Sequence, residues 1–324
     1  MKILVCGGAG YIGSHMCKLL ARQGYGVTVF DNLSTGHGEA CKWGDFVQGD
    51  LLDSAHLHSI FDSTAFAAVM HFSAKSLVGE SMVDPALYYM NNVVGTLNLL
   101  AAMRKYEVKR FVFSSSAATF GNPLTELIDE THPQVPINPY GETKLIVEQV
   151  LRAYAQAYGL NSVSLRYFNA AGADPDGEIG ESHSPETHLI PNVLKAVLSA
   201  GRPLKLFGND YPTKDGTCVR DYIHINDLCH AHLLALNYMD AHPGAHGFNL
   251  GNGQGFSILE IMRTAEEVTG RKIPYDIEAR RPGDPPALVA DSRRARELLG
   301  WQSRHARIGE IVQSAWDWHR TQKF

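Results

Sequence analysis

"KILVCGGAGYIGSHMCKLL" fills residues 2–20, and its reading decides the fold. It opens on an apolar run, passes through Gly7, Gly8, Gly10 and Gly13, and closes on an amphipathic stretch. Two glycine patterns overlap. Gly7, Gly10 and Gly13 make GxxGxxG, while Gly8, Gly10 and Gly13 make GxGxxG. Such a pattern carries meaning when a strand precedes it and a helix follows. Glycines let the backbone turn tightly and approach an anion. The helix amino terminus then offers free N–H groups and the positive end of its dipole. The expectation is a dinucleotide site with its pyrophosphate on Gly7, Gly10, Tyr11, Ile12 and Gly13. The plainer alternative is a glycine-rich turn with no ligand.

Asp31 favours the first reading. It ends the next apolar run, "GVTVFD", roughly 20 residues past the glycines, where an acid bonds ribose hydroxyls. Asn32, Leu33 and Ser34 follow, with no arginine beside them. A carboxylate there repels a 2′-phosphate, so NAD is expected over NADP. Asn32 and Ser34 belong to the same ribose end. Asp50 and Leu51, after a third strand-like run, are placed at the adenine edge.

The pattern then repeats. "KILVC", "GVTVF", "AAVMHF", "RFVFSS" and "SVSLRYF" are short β-rich runs, and helical stretches separate several of them. Strands alternating with helices argue for parallel β-α-β units, and near-continuous apolar strands for a sheet covered on both faces. After Asn169 the alternation breaks up in "GADPDGEIGESHSPE". We therefore expect a nucleotide-binding domain over residues 1–169 and a mainly substrate-binding domain over residues 170–324. "GFNLG" at residues 247–251 is a candidate strand returning to the first sheet.

Composition narrows the class. The net charge is −5 with both signs dispersed, and no basic stripe suits nucleic acid. Five cysteines without a CxxC fit neither a disulfide framework nor a zinc site; reduced thiols in the cytoplasm suit them better. The histidines other than His188 read as satisfied or exposed polar residues, and no metal is expected. The first apolar run is too short for a signal peptide, and none approaches a membrane span of about 20 residues.

"NPYGETK" at residues 138–144 sets Tyr140 four residues ahead of Lys144. With 13 tyrosines and 12 lysines, about half a YxxxK match is expected by chance, so spacing alone proves nothing. The setting matters more. The spacing stacks both groups on one helix face. Upstream, "FVFSSSAATFG" is a buried strand whose carboxyl end faces the ligand crevice of an open α/β sheet. Ser116 and Tyr140 could converge there. A free phenol titrates near 10, and about 4 kcal/mol of differential stabilisation brings it to about 7. Lys144 and a positive nicotinamide favour phenolate, while burial opposes it. A base poised near neutrality suits removal of a hydroxyl proton as hydride leaves carbon.

At this point the chain resembles the extended short-chain dehydrogenase/reductase family, and within it the UDP-glucose 4-epimerases. "GGAGYIGSH", "DNLSTG", "HFSAKSLVGES", "NNVVGTLNLL", "FSSSAATFG", "NPYGETK" and "RYFNAAGA" carry the superfamily likeness. "FNLGNG" and "RRPGDPPALVAD" match as well, "FGNDYPTKDGTCVRDYIHI" is far more specific, and the likeness spans essentially the whole length. It implies a doubly wound, Rossmann-type parallel sheet with a smaller C-terminal α/β domain for substrate. It also implies NAD, a UDP-sugar and a homodimer built on helices near residues 88–106 and 140–158.

The resemblance assigns roles as well. Ser116, Tyr140 and Lys144 are catalytic and touch the cofactor, and Ser116 and Tyr140 also meet the sugar. Phe72, Ser73, Asn91 and Phe168 line the cofactor. Asn169, Leu189, Phe207, Arg220, Arg281 and Asp284 hold UDP. Leu288 stands where a bulky aromatic would restrict the sugar, which implies tolerance of the N-acetylated pair. Dehydratases of the family carry a Thr-Asp-Glu type run after the serines; here Ala117 and Ala118 follow, so elimination is disfavoured. Epimerisation of UDP-glucose and UDP-galactose at C4 through a 4-keto intermediate is the expected activity. Epimerisation of UDP-glucuronate, UDP-xylose or UDP-N-acetylglucosamine is the alternative enzyme, and an NAD-sensing binding protein the alternative class. Cys6, Phe120, Ser76 and His188 depart from the family's more common Thr, Tyr, Lys and Asn.

Overall fold

Apolar side chains on successive residues of a strand point to opposite faces, so a run with no polar alternation must be covered on both. The sheet of this chain follows that rule. A computed structural model describes residues 1–199, 203–281 and 284–324. Its main sheet has seven parallel strands. They are β1 (Lys2–Cys6), β2 (Gly26–Asp31), β3 (Asp45–Gln48), β4 (Ala68–His71), β5 (Arg110–Ser116), β6 (Asn161–Tyr167) and the strand Ala245–Leu250. From that last strand the order is β6, β5, β4, β1, β2, β3. On β1, Ile3 and Val5 pack with Met16 and Leu20 of the helix Tyr11–Arg22 and with Leu228 and Leu236 of the helix Ile225–Tyr238. Leu4 and Cys6 pack on the other face with Leu57 of Ser54–Ser63, Leu99 and Met103 of Gly95–Lys105, and Val147 and Leu151 of Pro139–Tyr158. Each buried Leu or Ile contributes about 1.5–3 kcal/mol. The expected doubly wound sheet is therefore the one found.

The strand order reverses at β1, which pairs with β2 on one side and β4 on the other. At such a reversal the connections diverge and leave a crevice at the carboxyl ends of the strands. Cys6 lies opposite Phe30 and His71 at that edge, so the glycine turn opens into the crevice.

One element departs from the sequence expectation. The stretch expected as one helix over residues 88–106 is divided. A short helix, Pro85–Tyr88, leads into a π-helical turn, Tyr89–Val94, before Gly95–Lys105. The wider turn aims the buried Asn92 amide at two neighbours. Its Nδ2 donates to the Lys75 carbonyl at 3.0 Å and to Thr143 Oγ1 at 3.1 Å, and its Oδ1 accepts from the Lys75 N–H at 2.8 Å. Such bulges persist where bonds of this kind repay the poorer helical geometry.

Beyond β6 the chain builds a second sheet from Asn169–Ala171, Val219–His224, Gly255–Ser257 and Ala287–Leu288. A two-stranded pair, Leu204–Phe207 with Tyr275–Glu278, lies apart from it. Helices Leu189–Leu198, Ile258–Thr269 and Ile308–Arg320 cover this region through Val193, Leu194, Ile261, Ile311 and Trp316. The strand Ala245–Leu250 leaves it to pair with β6. Tyr11 Oη donates to the Gly172 carbonyl at 2.6 Å, tying the glycine turn to the second region. Among the described residues no helix is long and apolar enough to cross a membrane.

Candidate active site

The glycine turn is packed too closely for any side chain. Gly7 has φ +80°, and a Cβ there would lie 2.5 Å from the Ser73 nitrogen. A Cβ on Gly13 would lie 2.1 Å from the Gly7 carbonyl oxygen. The turn therefore presents bare backbone at the amino terminus of Tyr11–Arg22, where no side chain caps the helix. Those free N–H groups suit a phosphate. Asp31 is buried beside them. Its Oδ2 accepts from the Ala9 N–H at 3.0 Å and its Oδ1 from the Leu33 N–H at 2.8 Å. Burial raises its carboxyl pKa, and the two N–H bonds oppose that. Asn32 Nδ2 donates to Asp50 Oδ2 at 2.8 Å, joining the loops after β2 and β3, and the Asn32 Oδ1 accepts from the Ser34 N–H. Leu51 lies buried under Gly95. The Phe72 N–H donates to the Cys6 carbonyl at 2.8 Å, which puts Phe72 and Ser73 against Gly7. This cradle fits a dinucleotide. Cys6 is fully buried and its thiol pKa is pushed up by burial, so it is packing and not a reactive group.

The second half of the site hangs on β5 and the helix Pro139–Tyr158. Pro139 presets the first helical turn, and the Asn138 side chain caps it by accepting from the Gly141 N–H at 2.9 Å. A Cβ on Gly141 would lie 2.3 Å from the Ala118 carbonyl oxygen. Glycine there lets the helix press against the turn that follows Ser116. Ser116, Tyr140 and Lys144 are thereby brought together, 8%, 9% and 3% exposed. Ser116 Oγ accepts from the Ala118 N–H at 3.1 Å, which fixes the hydroxyl at the end of β5. Lys144 Nζ donates to the Ser114 carbonyl at 2.7 Å and lies 5.8 Å from the Tyr140 ring centroid.

Of the opposing effects expected at Tyr140, burial is the one that dominates here. Burial pushes the Tyr140 phenol above its ordinary value, and the Ser116 hydroxyl only opposes this. Burial also pushes Lys144 down to about 7, against the attraction of Glu148. Desolvation penalises both charged forms in the same sealed space. Lys144 alone therefore does not bring the phenol to neutrality.

In the second region the arrangement is looser. Asn169 Nδ2 donates to the Asp221 carbonyl at 2.8 Å. Arg220 Nη1 donates to the Val219 and Pro285 carbonyls, and its Nη2 lies 3.3 Å from Asp284 Oδ1. The Arg281 guanidinium stacks 4.0 Å from the Phe207 ring centroid. Leu189 opens the helix Leu189–Leu198. Leu288 pairs with Arg220 and, with Phe168, packs on Ala117 and Phe120 beside Ser116. Leu288 thus joins the two halves of the crevice. Asn91 donates to Asn92 Oδ1 at 2.9 Å.

Three supports escaped the sequence reading: Asn92, Gly141 and the buried pair Glu148–Arg166. Glu148 lies one turn beyond Lys144 and accepts from Ser115 Oγ at 2.6 Å and from Arg166. The i, i+4, i+8 series Tyr140, Lys144, Glu148 was available as a signal.

Comparison with known proteins gives one consistent answer. The family model described as NAD dependent epimerase/dehydratase family matches residues 3–251. The chain is 50% identical over 320 residues to the UDP-glucose 4-epimerase of Halalkalibacterium halodurans, covering 99% of this chain and 96% of that one. It is similar to the crystal structure of UDP-glucose 4-epimerase from Brucella ovis in complex with NAD, with TM-score 0.94, 52% identity and 97% of each chain covered. It is also similar to the UDP-glucose 4-epimerase from Bifidobacterium longum in complex with NAD+ and UDP, with TM-score 0.95, 37% identity and 99% of each chain covered.

Proposed function

The chain belongs to the NAD dependent epimerase/dehydratase family, and on that footing we propose that it interconverts UDP-glucose and UDP-galactose by inverting C4 of the hexose. The observation that carries the reading is the shared burial of Ser116, at the end of β5, with Tyr140 and Lys144, one turn apart on the helix that packs against the turn after Ser116. Ala117 and Ala118 follow Ser116, so no acid stands there to drive elimination.

NAD, when bound, would supply a positively charged ring, the acceptor for the hydride that leaves C4 and, once reduced, the donor of that same hydride to the opposite face of C4. Gly7, Gly10 and Gly13 receive its pyrophosphate, and Asp31 its ribose hydroxyls. Tyr140, as phenolate, takes the C4 hydroxyl proton while Ser116 holds O4. The 4-keto hexose turns about its bond to the pyrophosphate and offers its opposite face. Tyr140 then returns the proton to O4 in the inverted configuration. Arg220 and Arg281 meet the UDP pyrophosphate through planar, charge-assisted hydrogen bonds. Asp284 accepts ribose hydroxyls, and Asn169, Leu189 and Phe207 complete the nucleotide contacts. Binding energy placed on UDP leaves the sugar free to turn.

Five free cysteines support a cytoplasmic location. Met90, Leu97 and Tyr158, 50%, 37% and 46% exposed on the helices flanking one side of the sheet, support a homodimer through that face. The test is UDP-galactose conversion without added NAD, with mass spectrometry of the released cofactor. Formation of UDP-glucose by protein that carries NAD is expected; carriage of NAD without any epimerised product would overturn the assignment.

A further inference from the structure

Two clusters of ionisable side chains lie outside the crevice. In the first, Asp174, Asp176 and Glu178 converge on Lys18 Nζ at 2.7, 2.8 and 2.6 Å. The ammonium already fills their centre. The second has no such partner. Glu181, His183, Glu186 and His188 turn one oxygen or nitrogen each toward a common point, all within 4.8 Å of one another.

Hydrogen bonding does not satisfy that arrangement. His188 Nδ1 lies 2.9 Å from Glu181 Oε1 and 3.1 Å from Glu186 Oε1, yet one ring nitrogen carries at most one proton. Glu181 Oε1, Glu186 Oε2 and His183 Nδ1 are buried and make no hydrogen bond among the described residues. The Glu181 and Glu186 side chains are only 5% and 4% exposed. Buried carboxylate oxygens left this way are costly. Lys195 Nζ stands 3.9 Å from Glu186 Oε2, too far to hydrogen-bond it.

A metal ion would satisfy all four. We propose that Glu181, His183, Glu186 and His188 form a binding site for a divalent first-row transition metal ion of the Zn2+ class. Bonds of about 2.0–2.2 Å in a tetrahedral site place ligand atoms about 3.3–3.6 Å apart. Glu181 Oε1 lies 3.4 Å from His183 Nδ1 and 2.9 Å from His188 Nδ1, and Glu186 Oε2 lies 3.8 Å from His183 Nδ1, separations on either side of that edge. Two imidazole nitrogens with two carboxylates suit zinc and its neighbours and not Mg2+ or Ca2+, which take oxygen. The buried carboxylates form the floor, and the more exposed imidazoles form the mouth through which an ion enters.

The site stands at a junction. The Glu181 carbonyl accepts from Trp318 Nε1 at 3.0 Å. The His183 ring meets Tyr11 edge-on at 6.4 Å between centroids. His188 immediately precedes the helix Leu189–Leu198. The ion fastens residues 181–188 between the C-terminal helix, the glycine turn and that helix. Its role is structural, and its binding does not depend on the epimerase reading.

The test uses the full-length protein after treatment with a chelator and its removal. Calorimetric titration with Zn2+ is expected to show one strong site per chain, undisturbed by excess Mg2+. Co2+ is expected to give the intense visible absorption of a four-coordinate ion. In the His183→Ala/His188→Ala variant the Zn2+ affinity falls at least about 100-fold. Glu186→Gln weakens Zn2+ without altering the histidines. Circular dichroism checks that each variant is folded. Equal Zn2+ binding by the wild type and the double variant, or displacement of the strong site by Mg2+, would overturn the proposal.

Discussion

Arg166 grips Glu148 with two parallel hydrogen bonds, Nε to Oε1 at 2.9 Å and Nη2 to Oε2 at 2.7 Å. The pair bolts the helix of Tyr140 and Lys144 to β6, and both side chains are under 9% exposed. Ser115 Oγ bonds the same carboxylate, so β5 is held as well. Removing the charge of one partner strands the other. Glu148→Gln is expected to destabilise the protein by about 3–5 kcal/mol. Urea unfolding at neutral pH measures this, and a loss below about 1 kcal/mol would show that the pair does not anchor the helix.

Tyr140 has the most direct role. Tyr140→Phe keeps the buried ring and deletes its hydroxyl. Turnover is expected to fall about 100- to 10,000-fold, the range of a lost general acid–base. Cofactor content should stay near the wild-type level. Full-rate turnover by this variant would contradict the proton-transfer role.

Lys144 predicts a pH dependence. Its folded-state pKa is pushed down to about 7 from an ordinary 10.5. Between those values the unfolded chain binds the proton and the folded one does not, so stability rises with pH. Below about 7 both states are protonated and the penalty is complete. Lys144→Met removes the titrating group. Its stabilising effect should be larger at pH 6 than at pH 9, by about 3 kcal/mol. Denaturation of wild type and variant at both pH values checks the sign, and an identical difference at each would refute it.

Gly141→Ala opposes two effects. In an open helix the change would stabilise by up to about 1 kcal/mol. Here the new methyl carbon meets the Ala118 carbonyl oxygen at 2.3 Å. The helix must move away from the turn after Ser116, at about 1–3 kcal/mol. A lower melting temperature is expected, with kcat reduced more than KM is raised. A melting temperature above the wild type would show that the contact relaxes freely.

Leu288 packs with Phe168, Ala117 and Phe120 between the two halves of the crevice. Leu288→Tyr narrows the space beside Ser116. Turnover of UDP-N-acetylglucosamine should fall more than about 10-fold, with UDP-galactose altered within about threefold. Parallel loss on both substrates would remove Leu288 from the control of sugar size.

Local pattern alone determined a good deal of this protein. Apolar runs and their spacing specify β1 to β6, and glycines at fixed offsets specify the turn before Tyr11. The YxxxK pair is legible for the same reason: these features involve residues near one another in the chain, where backbone geometry sets the outcome. Long-range packing decided the rest. Glu148 is an ordinary helical glutamate until Arg166 of β6 lies across it, and Gly141 is a weak helix residue until Ala118 approaches. The π turn at Tyr89–Val94 is legible only once Asn92 has Lys75 and Thr143 to reach. Burial outweighs the other influences on Tyr140 and Lys144 because desolvation is a property of the assembled interior. No window of sequence reports it.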